Sequence, residues 1–232
     1  MPLQFTQDPL PITNCGERHV ACVLLVDTSS SMSGAAIDEL NKGLVEFGVA
    51  LQSDSLAQGR AEICIISFNS SVRTQLGFRP AADYEAPELT AAGLTAMNQA
   101  IEEGLDALEA RKAEYRANGV TYYRPWLFLL TDGAPTDQNL GNASRTRLRN
   151  AIKDKKVVYM PMGIGSGADI AKLQSYYPED ATVRPVLKAS ASNFKEAFTW
   201  LSASISEVSH SDPNNATEIQ TPPTPSCITI GI

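Results

Sequence analysis

His19-Val20-Ala21-Cys22-Val23-Leu24-Leu25-Val26-Asp27-Thr28-Ser29-Ser30-Ser31 is the stretch that decides the architecture of this 232-residue chain. Residues 20–26 are apolar without a break, the signature of a central strand covered on both faces. The run ends in an acid, followed by hydroxyls at alternating positions 29 and 31. In an extended loop such alternation points two hydroxyls the same way. A buried strand ending in one carboxylate and two aligned hydroxyls suits a divalent cation with a taste for oxygen.

Outward from this strand, helical and strand patterns alternate. Ile37, Leu40, Leu44, Phe47 and Leu51 recur at helical spacing, predicting a helix from Ser33-Gly34 to about residue 53, with Ser33 as N-cap. Glu62–Phe68 reads as a second buried strand, and Asn69-Ser70-Ser71 turns it into an antiparallel edge strand, Val72–Phe78. After an Ala/Pro/Glu-rich loop, a helix is expected from Thr95 to about 117, with Met97, Ile101, Leu105 and Leu108 inward. Strands at about 124–132 and 157–163 follow, separated by a helix ending near Ile152. Gly163–Gly167 reads as a tight strand-to-helix turn rather than a phosphate loop, since it lacks the GxGxxG spacing. A short helix at about 168–175, a last edge strand at Val183–Leu187 and a last helix at Phe194–Val208 complete the pattern. The alternation predicts an α/β fold: a Rossmann-like, doubly wound, mostly parallel sheet with one antiparallel edge strand and helices on both faces.

Three regions are expected: an irregular lead-in over 1–18, one domain over 19–208, and a flexible C-terminal tail over 209–232. Residues 209–226 are almost devoid of apolar side chains, whereas Cys227–Ile232 is β-prone. That last segment reads either as a loosely packed end or as a tethered strand that pairs with a sheet edge.

A chain of this length can bury roughly 70% of its unfolded surface in one core. Its net charge of −7 argues against nucleic acid, which needs a basic stripe to neutralise phosphates. Cys22 and Cys64 sit in apolar runs, and no CxxC pair or His-rich spacing points to a structural zinc site. Neither a secretory leader nor an apolar stretch of membrane-spanning length is visible, so a cytoplasmic setting is expected.

In a doubly wound sheet, ligands bind beyond the carboxyl ends of the strands. Three groups are expected there: Asp27, Ser29 and Ser31 after the first strand, Thr95 after Gly93-Leu94, and Asp132 at the end of the Leu127–Thr131 strand. All are hard oxygen donors, suited to Mg²⁺, Mn²⁺ or Ca²⁺. Singly, each has a plainer reading: Ser29, Ser31 and Thr95 as helix caps, Asp132-Gly133 as a turn. Together, at one end of the sheet, they read as a metal site. Two aspartates neutralise one divalent ion, and an ion that keeps a replaceable water can accept a carboxylate from a partner.

Asp27-x-Ser29-x-Ser31, Gly93-Leu94-Thr95 and Thr131-Asp132-Gly133 resemble the metal-ion-dependent adhesion site of von Willebrand factor A domains. The resemblance covers about residues 18–208. It implies Asp27, Ser29, Ser31, Thr95 and Asp132 as metal ligands, the last directly or through water, with Mg²⁺ foremost. The family often has Gly where this chain has Ser30, which is not a ligand position. Tyr122–Trp126, Leu129–Asp137 and Phe198–Ser202 further resemble bacterial TerY-type proteins of tellurite resistance and stress response. That resemblance implies an assembly with a protein kinase and a PP2C-like phosphatase.

The expected function is therefore a non-enzymatic, metal-dependent protein–protein interaction module, whose partner supplies an Asp or Glu carboxylate to the ion. The competing class is a metal-dependent phosphotransferase or hydrolase with Asp27 at the active site. A haloacid-dehalogenase-like enzyme needs a second acid two residues after the first, and Ser29 stands there. His19 and His210 are poorly placed as general bases. Finally, Glu109–Trp126 interleaves Arg111, Lys112, Arg116 and Arg124 with Tyr115, Tyr122, Tyr123 and Trp126. It reads either as a helix end whose aromatics pack on the sheet or as a partner-binding surface.

Overall fold

The computed structural model describes residues 8–165, 167–179, 186–189, 194–210 and 228–231. Among these residues, seven strands form one sheet: β1 (Val20–Asp27), β2 (Ala61–Phe68), β3 (Val72–Pro80), β4 (Trp126–Thr131), β5 (Val158–Ile164), β6 (Val186–Ala189) and β7 (Ile228–Gly231). Their order is β3-β2-β1-β4-β5-β6-β7. The five strands from β2 to β6 run parallel, while β3 and β7 are antiparallel to their neighbours. From β1 the chain winds to one edge through β2 and β3, then returns to β1's other side with β4 and winds outward. The order reverses between β1 and β4, so a crevice opens at their carboxyl ends.

Among the described residues, six helices cover the sheet: α1 (Ala35–Gln52), α2 (Ser55–Arg60), α3 (Met97–Ala117), α4 (Gly141–Lys153), α5 (Ile170–Gln174) and α6 (Phe194–His210). Strand side chains alternate between two cores. Val20, Cys22, Leu24 and Val26 meet Leu44 and Phe47 of α1 and Phe198 and Ile205 of α6 on one face. Ala21, Val23 and Leu25 meet Met97, Ile101 and Leu105 of α3 and Leu148 of α4 on the other. Gly104 lets α3 approach β1 and β4: a Cβ there would lie 2.9 Å from Leu127 Cδ1 and 3.1 Å from Leu25 Cδ2.

At the amino ends of the strands lies a buried ionic cluster. Arg111 of α3 grips Glu62 of β2 bidentately, Nε to Oε2 and Nη2 to Oε1, both at 2.7 Å. Tyr115 donates its hydroxyl to the same carboxylate, and His19 Nδ1 stands 3.5 Å from it. Burial alone would push the Glu62 carboxyl up; the contacts from His19, Arg111 and Tyr115 and the Arg111 charge outweigh it and hold the group at about 2. The cluster also ties down the lead-in, since Arg111 Nη1 donates to Leu10 O at 3.3 Å.

Several local expectations change. α1 is entered through a 3₁₀ turn, Ser30–Met32, and Gly34 at φ 78° takes the N-cap position, so Ser33 does not cap α1. α2 is an additional helix, capped by Asp54, whose Oδ1 accepts from Leu56 N at 2.9 Å and Ala57 N at 3.1 Å. β3 is the expected antiparallel edge, but β6 is not an edge strand. β7 pairs with it and adds a second antiparallel edge, so residues 228–231 take the strand reading of the C-terminal segment. The polar stretch 211–227 lies outside the described residues. Arg111, Lys112, Tyr115, Tyr123 and Trp126 are all buried, so most of the aromatics of the Glu109–Trp126 stretch pack inward, while Arg116 and Arg124 stay exposed.

Candidate metal site

β1 and β4 are adjacent and parallel, with Val26 opposite Leu130, so Asp27 and Thr131 end side by side. Asp27 is fully buried. Its Oδ1 accepts from Ser29 N at 2.8 Å and its Oδ2 from Thr131 Oγ1 at 2.5 Å. Thr131 Oγ1 in turn accepts from Gly133 N at 3.2 Å, which folds the third loop back over β4. The Ser29 and Ser31 hydroxyls lie 3.0 Å apart, and Ser31 Oγ donates to Asp132 Oδ1 at 2.7 Å. The structure thus draws Asp27, Ser29, Ser31 and Asp132 into one hydrogen-bonded string across two loops.

The second loop is stitched to the first. Ser30 N and Ser30 Oγ both donate to Gly93 O, at 3.0 and 2.9 Å, and Ala92 N donates to Thr28 O at 2.8 Å. Gly93 has φ 77°, and a Cβ on it would lie 2.4 Å from Ser70 Oγ, so only glycine fits. Thr95 follows, 7% exposed. It is not a helix cap: α3 begins at Met97 with Ala96 at the N-cap. Among the described residues no hydrogen-bond partner accepts or donates at Thr95 Oγ1, which faces the third loop: a Cβ on Gly133 would sit 4.0 Å from it. Ser29 precedes the 3₁₀ turn without capping it. The capping explanation therefore fails for these hydroxyls.

Burial pushes the Asp27 carboxyl above its ordinary range, and the Asp132 charge acts in the same direction; hydrogen bonds from Thr131 and Ser29 oppose them without cancelling. Two carboxylates close enough for the charge of one to raise the other call for positive charge. The donor set fits a hard divalent ion. Neighbouring oxygens of an octahedron around Mg²⁺ stand about 2.9 Å apart, given Mg–O distances of about 2.0–2.1 Å. The Ser29–Ser31 and Ser31–Asp132 separations of 3.0 and 2.7 Å match that edge. Thr95 is 7% exposed, and among the described residues its Oγ1 has no protein partner. Among the described residues no cluster of three or more His, Cys, Asp or Glu side chains occurs, so the chemistry here is hydroxyl and carboxylate. Two supports were not visible beforehand: Thr131 as the partner of Asp27, and Ser30 as the hook for Gly93. Both lie in quoted motifs, but their roles depend on where β4 and the second loop come to rest.

Beside the first loop, a polar groove is lined by Thr28, Asn69, Arg73, Gln75, Glu88 and Thr90.

Comparison with known proteins agrees with this fold. Among solved structures, the von Willebrand factor type A protein from Catenulispora acidiphila superposes with TM-score 0.55 at 19% identity, over 82% of this chain and 43% of that one. The vWF domain of the type V pili tip protein Mfa5 from Porphyromonas gingivalis gives 0.63 at 12% identity, over 84% and 98%. The mussel byssus protein PTMP1, in a structure with a zinc-occupied MIDAS motif, gives 0.50 at 17% identity, over 81% and 46%. The chain spans under half the length of the byssus and Catenulispora proteins. Nothing among curated protein sequences matches it. Residues 22–199, most of the chain, match a single family, and the chain belongs to it: the von Willebrand factor type A domains.

Proposed function

We propose that the chain is a non-enzymatic protein-binding module, and that Asp27, Ser29, Ser31, Thr95 and Asp132 hold a divalent cation, Mg²⁺ foremost, that receives a partner's Asp or Glu. The observation that carries this reading is the hydroxyl–carboxylate string from Asp27 to Asp132, faced by the partnerless hydroxyl of Thr95. When bound, the ion supplies a Lewis-acidic point of attachment for a carboxylate. The protein's own groups do the rest. Thr131 and the Ser29 amide fix the buried Asp27 carboxylate, Ser30 and Gly93 fix the spacing of two loops, and the polar groove gives the residues flanking a partner's acid somewhere to lie. Support for a binding rather than catalytic role comes from Ser29, which stands where a phosphotransferase needs its second acid. Solved relatives include the Lactobacillus rhamnosus GG pilus adhesin SpaC and the Mfa5 domain.

The finer reading is a cytoplasmic stress-response assembly of the tellurite-resistance type, with a protein kinase and a PP2C-like phosphatase. It rests on the likeness of Tyr122–Trp126, Leu129–Asp137 and Phe198–Ser202 to TerY-type proteins. No helix among the described residues is long and apolar enough to cross a membrane.

Titration calorimetry with Mg²⁺ tests the site. Wild-type chain should bind one ion, and Asp132→Ala, at the loop surface, should lose it while keeping its unfolding curve. Equal binding by both overturns the site. Pull-down from the native host, with and without EDTA, tests the partner: retention of the same proteins in EDTA sinks metal-dependent binding. Mg²⁺-dependent turnover of a phosphate ester, lost in Asp27→Asn, would establish the enzymatic class instead.

A further inference from the structure

The third loop does more than carry Asp132. At its far end Thr136 makes a reciprocal pair with Thr95: Thr136 N donates to Thr95 O at 2.9 Å, and Thr95 N donates to Thr136 Oγ1 at 3.0 Å. Both backbone polar groups of Thr95 are therefore taken by one residue of the loop that begins with Asp132. The next residue, Asp137, caps α3. Its Oδ1 accepts from Asn98 N at 3.2 Å and Asn98 Nδ2 at 2.9 Å, and its Oδ2 accepts from Gln99 N at 2.8 Å. Residue 96, at α3's own N-cap, is an alanine and supplies no side-chain oxygen. The helix start directly after Thr95 thus takes its capping carboxylate from the third loop. Asn98, fully buried, is held from the far side by Tyr176 Oη at 2.5 Å, so the receiving end of the clasp cannot drift.

We propose that Thr136 and Asp137 are positioning residues: without touching the cation, they set the site's affinity for it by locking Thr95 to the loop that bears Asp132. The inference rests on the metal-binding reading of Asp27, Ser29, Ser31, Thr95 and Asp132. Asp137 is not an additional ligand, because its two oxygens already accept three N–H groups. Thr95 has a different problem. Its hydroxyl has no protein partner, so only its backbone fixes where that hydroxyl stands. Removing Thr136 Oγ1 strands the Thr95 amide and leaves the Thr136 N–Thr95 O bond as the remaining half of the pair. Outer partners of metal ligands commonly change affinity by about 10–100-fold.

The test uses the full chain and Mg²⁺ alone, titrated calorimetrically well below the melting temperature. Thr136→Ala should weaken Mg²⁺ binding by about ten-fold or more, and Thr136→Ser, which keeps the oxygen, should return it to within about two-fold of wild type. Asp137→Asn should weaken it too. Asp54→Ala is the control: it removes the matching cap from α2, away from the site, and should lower stability while leaving Mg²⁺ affinity unchanged. Four outcomes overturn the inference: Thr136→Ala and Asp137→Asn binding like wild type while Asp132→Ala has lost the ion, Thr136→Ser failing to restore the affinity lost in Thr136→Ala, Thr136→Ala failing to fold while Asp137→Asn binds normally, or Asp54→Ala weakening Mg²⁺ as much as they do. Absence of Mg²⁺ binding in the wild type, or undiminished binding in Asp132→Ala, overturns the metal reading itself.

Discussion

Replacing Glu62 by glutamine should cost this chain a large share of its stability without touching the metal loops. Glu62 is fully buried and accepts two 2.7 Å bonds from a guanidinium that is itself 2% exposed. In the folded chain its carboxyl is held at about 2 against an ordinary 4.5. A drop of about 2.5, at 1.36 kcal/mol for each pH unit, corresponds to about 3 kcal/mol favouring the charged form. The sign follows from the depressed value: this stabilisation is complete above about pH 4.5 and is lost as the pH falls from there towards 2. At pH 7 the glutamine variant also leaves the buried Arg111 with only the half-exposed Glu114 as counter-charge, and breaking a buried pair costs roughly 3–5 kcal/mol at most. Urea unfolding at pH 7 and at steps down to pH 2.5 measures both quantities. The variant should be weaker by roughly 3 kcal/mol or more at pH 7, and the gap should narrow on acidification. A second substitution, Arg111→Met, should recover part of the loss in the glutamine background, since it removes the stranded cation. A gap under about 1 kcal/mol at pH 7, or one that does not change with pH, refutes the account of the cluster.

Gly104→Ala should destabilise by roughly 1–3 kcal/mol in urea despite alanine's better helix propensity, because the new Cβ meets Leu127 and Leu25; a more stable variant would show that α3 can retreat freely. Leu44→Ala, at a fully buried α1 position, should cost roughly 2–5 kcal/mol by the same measurement, and a loss under about 1 kcal/mol would mean that the α1–sheet core collapses around the gap. Mg²⁺ at a hundred times its dissociation constant should raise unfolding stability by about 2.7 kcal/mol in the wild type and not in Asp132→Ala; an equal rise in both would place the ion elsewhere.

What could be read from the sequence was whatever its residues carry locally. The unbroken run Val20–Val26 and the hydroxyls at 29 and 31 stand side by side in the chain, so strand and loop chemistry declared themselves. Thr95 and Asp132 joined them through the rule that binding groups gather at the carboxyl ends of parallel strands. Where a partner lies far along the chain, reading failed. Arg111 and Tyr115 left two readings open, a helix end whose aromatics pack on the sheet or a partner-binding surface, because their partner Glu62, about fifty residues earlier, looked like an ordinary strand start. Ser33 looked like a cap because the left-handed turn at Gly34 is decided by the loop's path, not by the hydroxyl before it. α2 is too short for its periodicity to show, leaving Asp54 as its sole local mark. That residues 228–231 could form an edge-pairing strand showed in their β-prone composition, but which strand they join, β6 some forty residues earlier, did not.

The antiparallel strands at the two margins bear on how copies of this domain behave when crowded. An open strand edge is a template on which another chain can add itself, and long flat edges lead to fibres. Here one margin is partly sealed from within: Leu10 N donates to Phe78 O at 2.8 Å, and Pro9 lies so close to Gly77 that a Cβ there would meet its nitrogen at 2.5 Å. The other margin is β7, only four residues long. Among the described residues, the lead-in blocks part of β3 and β7 presents a short register, which lessens what each margin offers a neighbouring copy as a template.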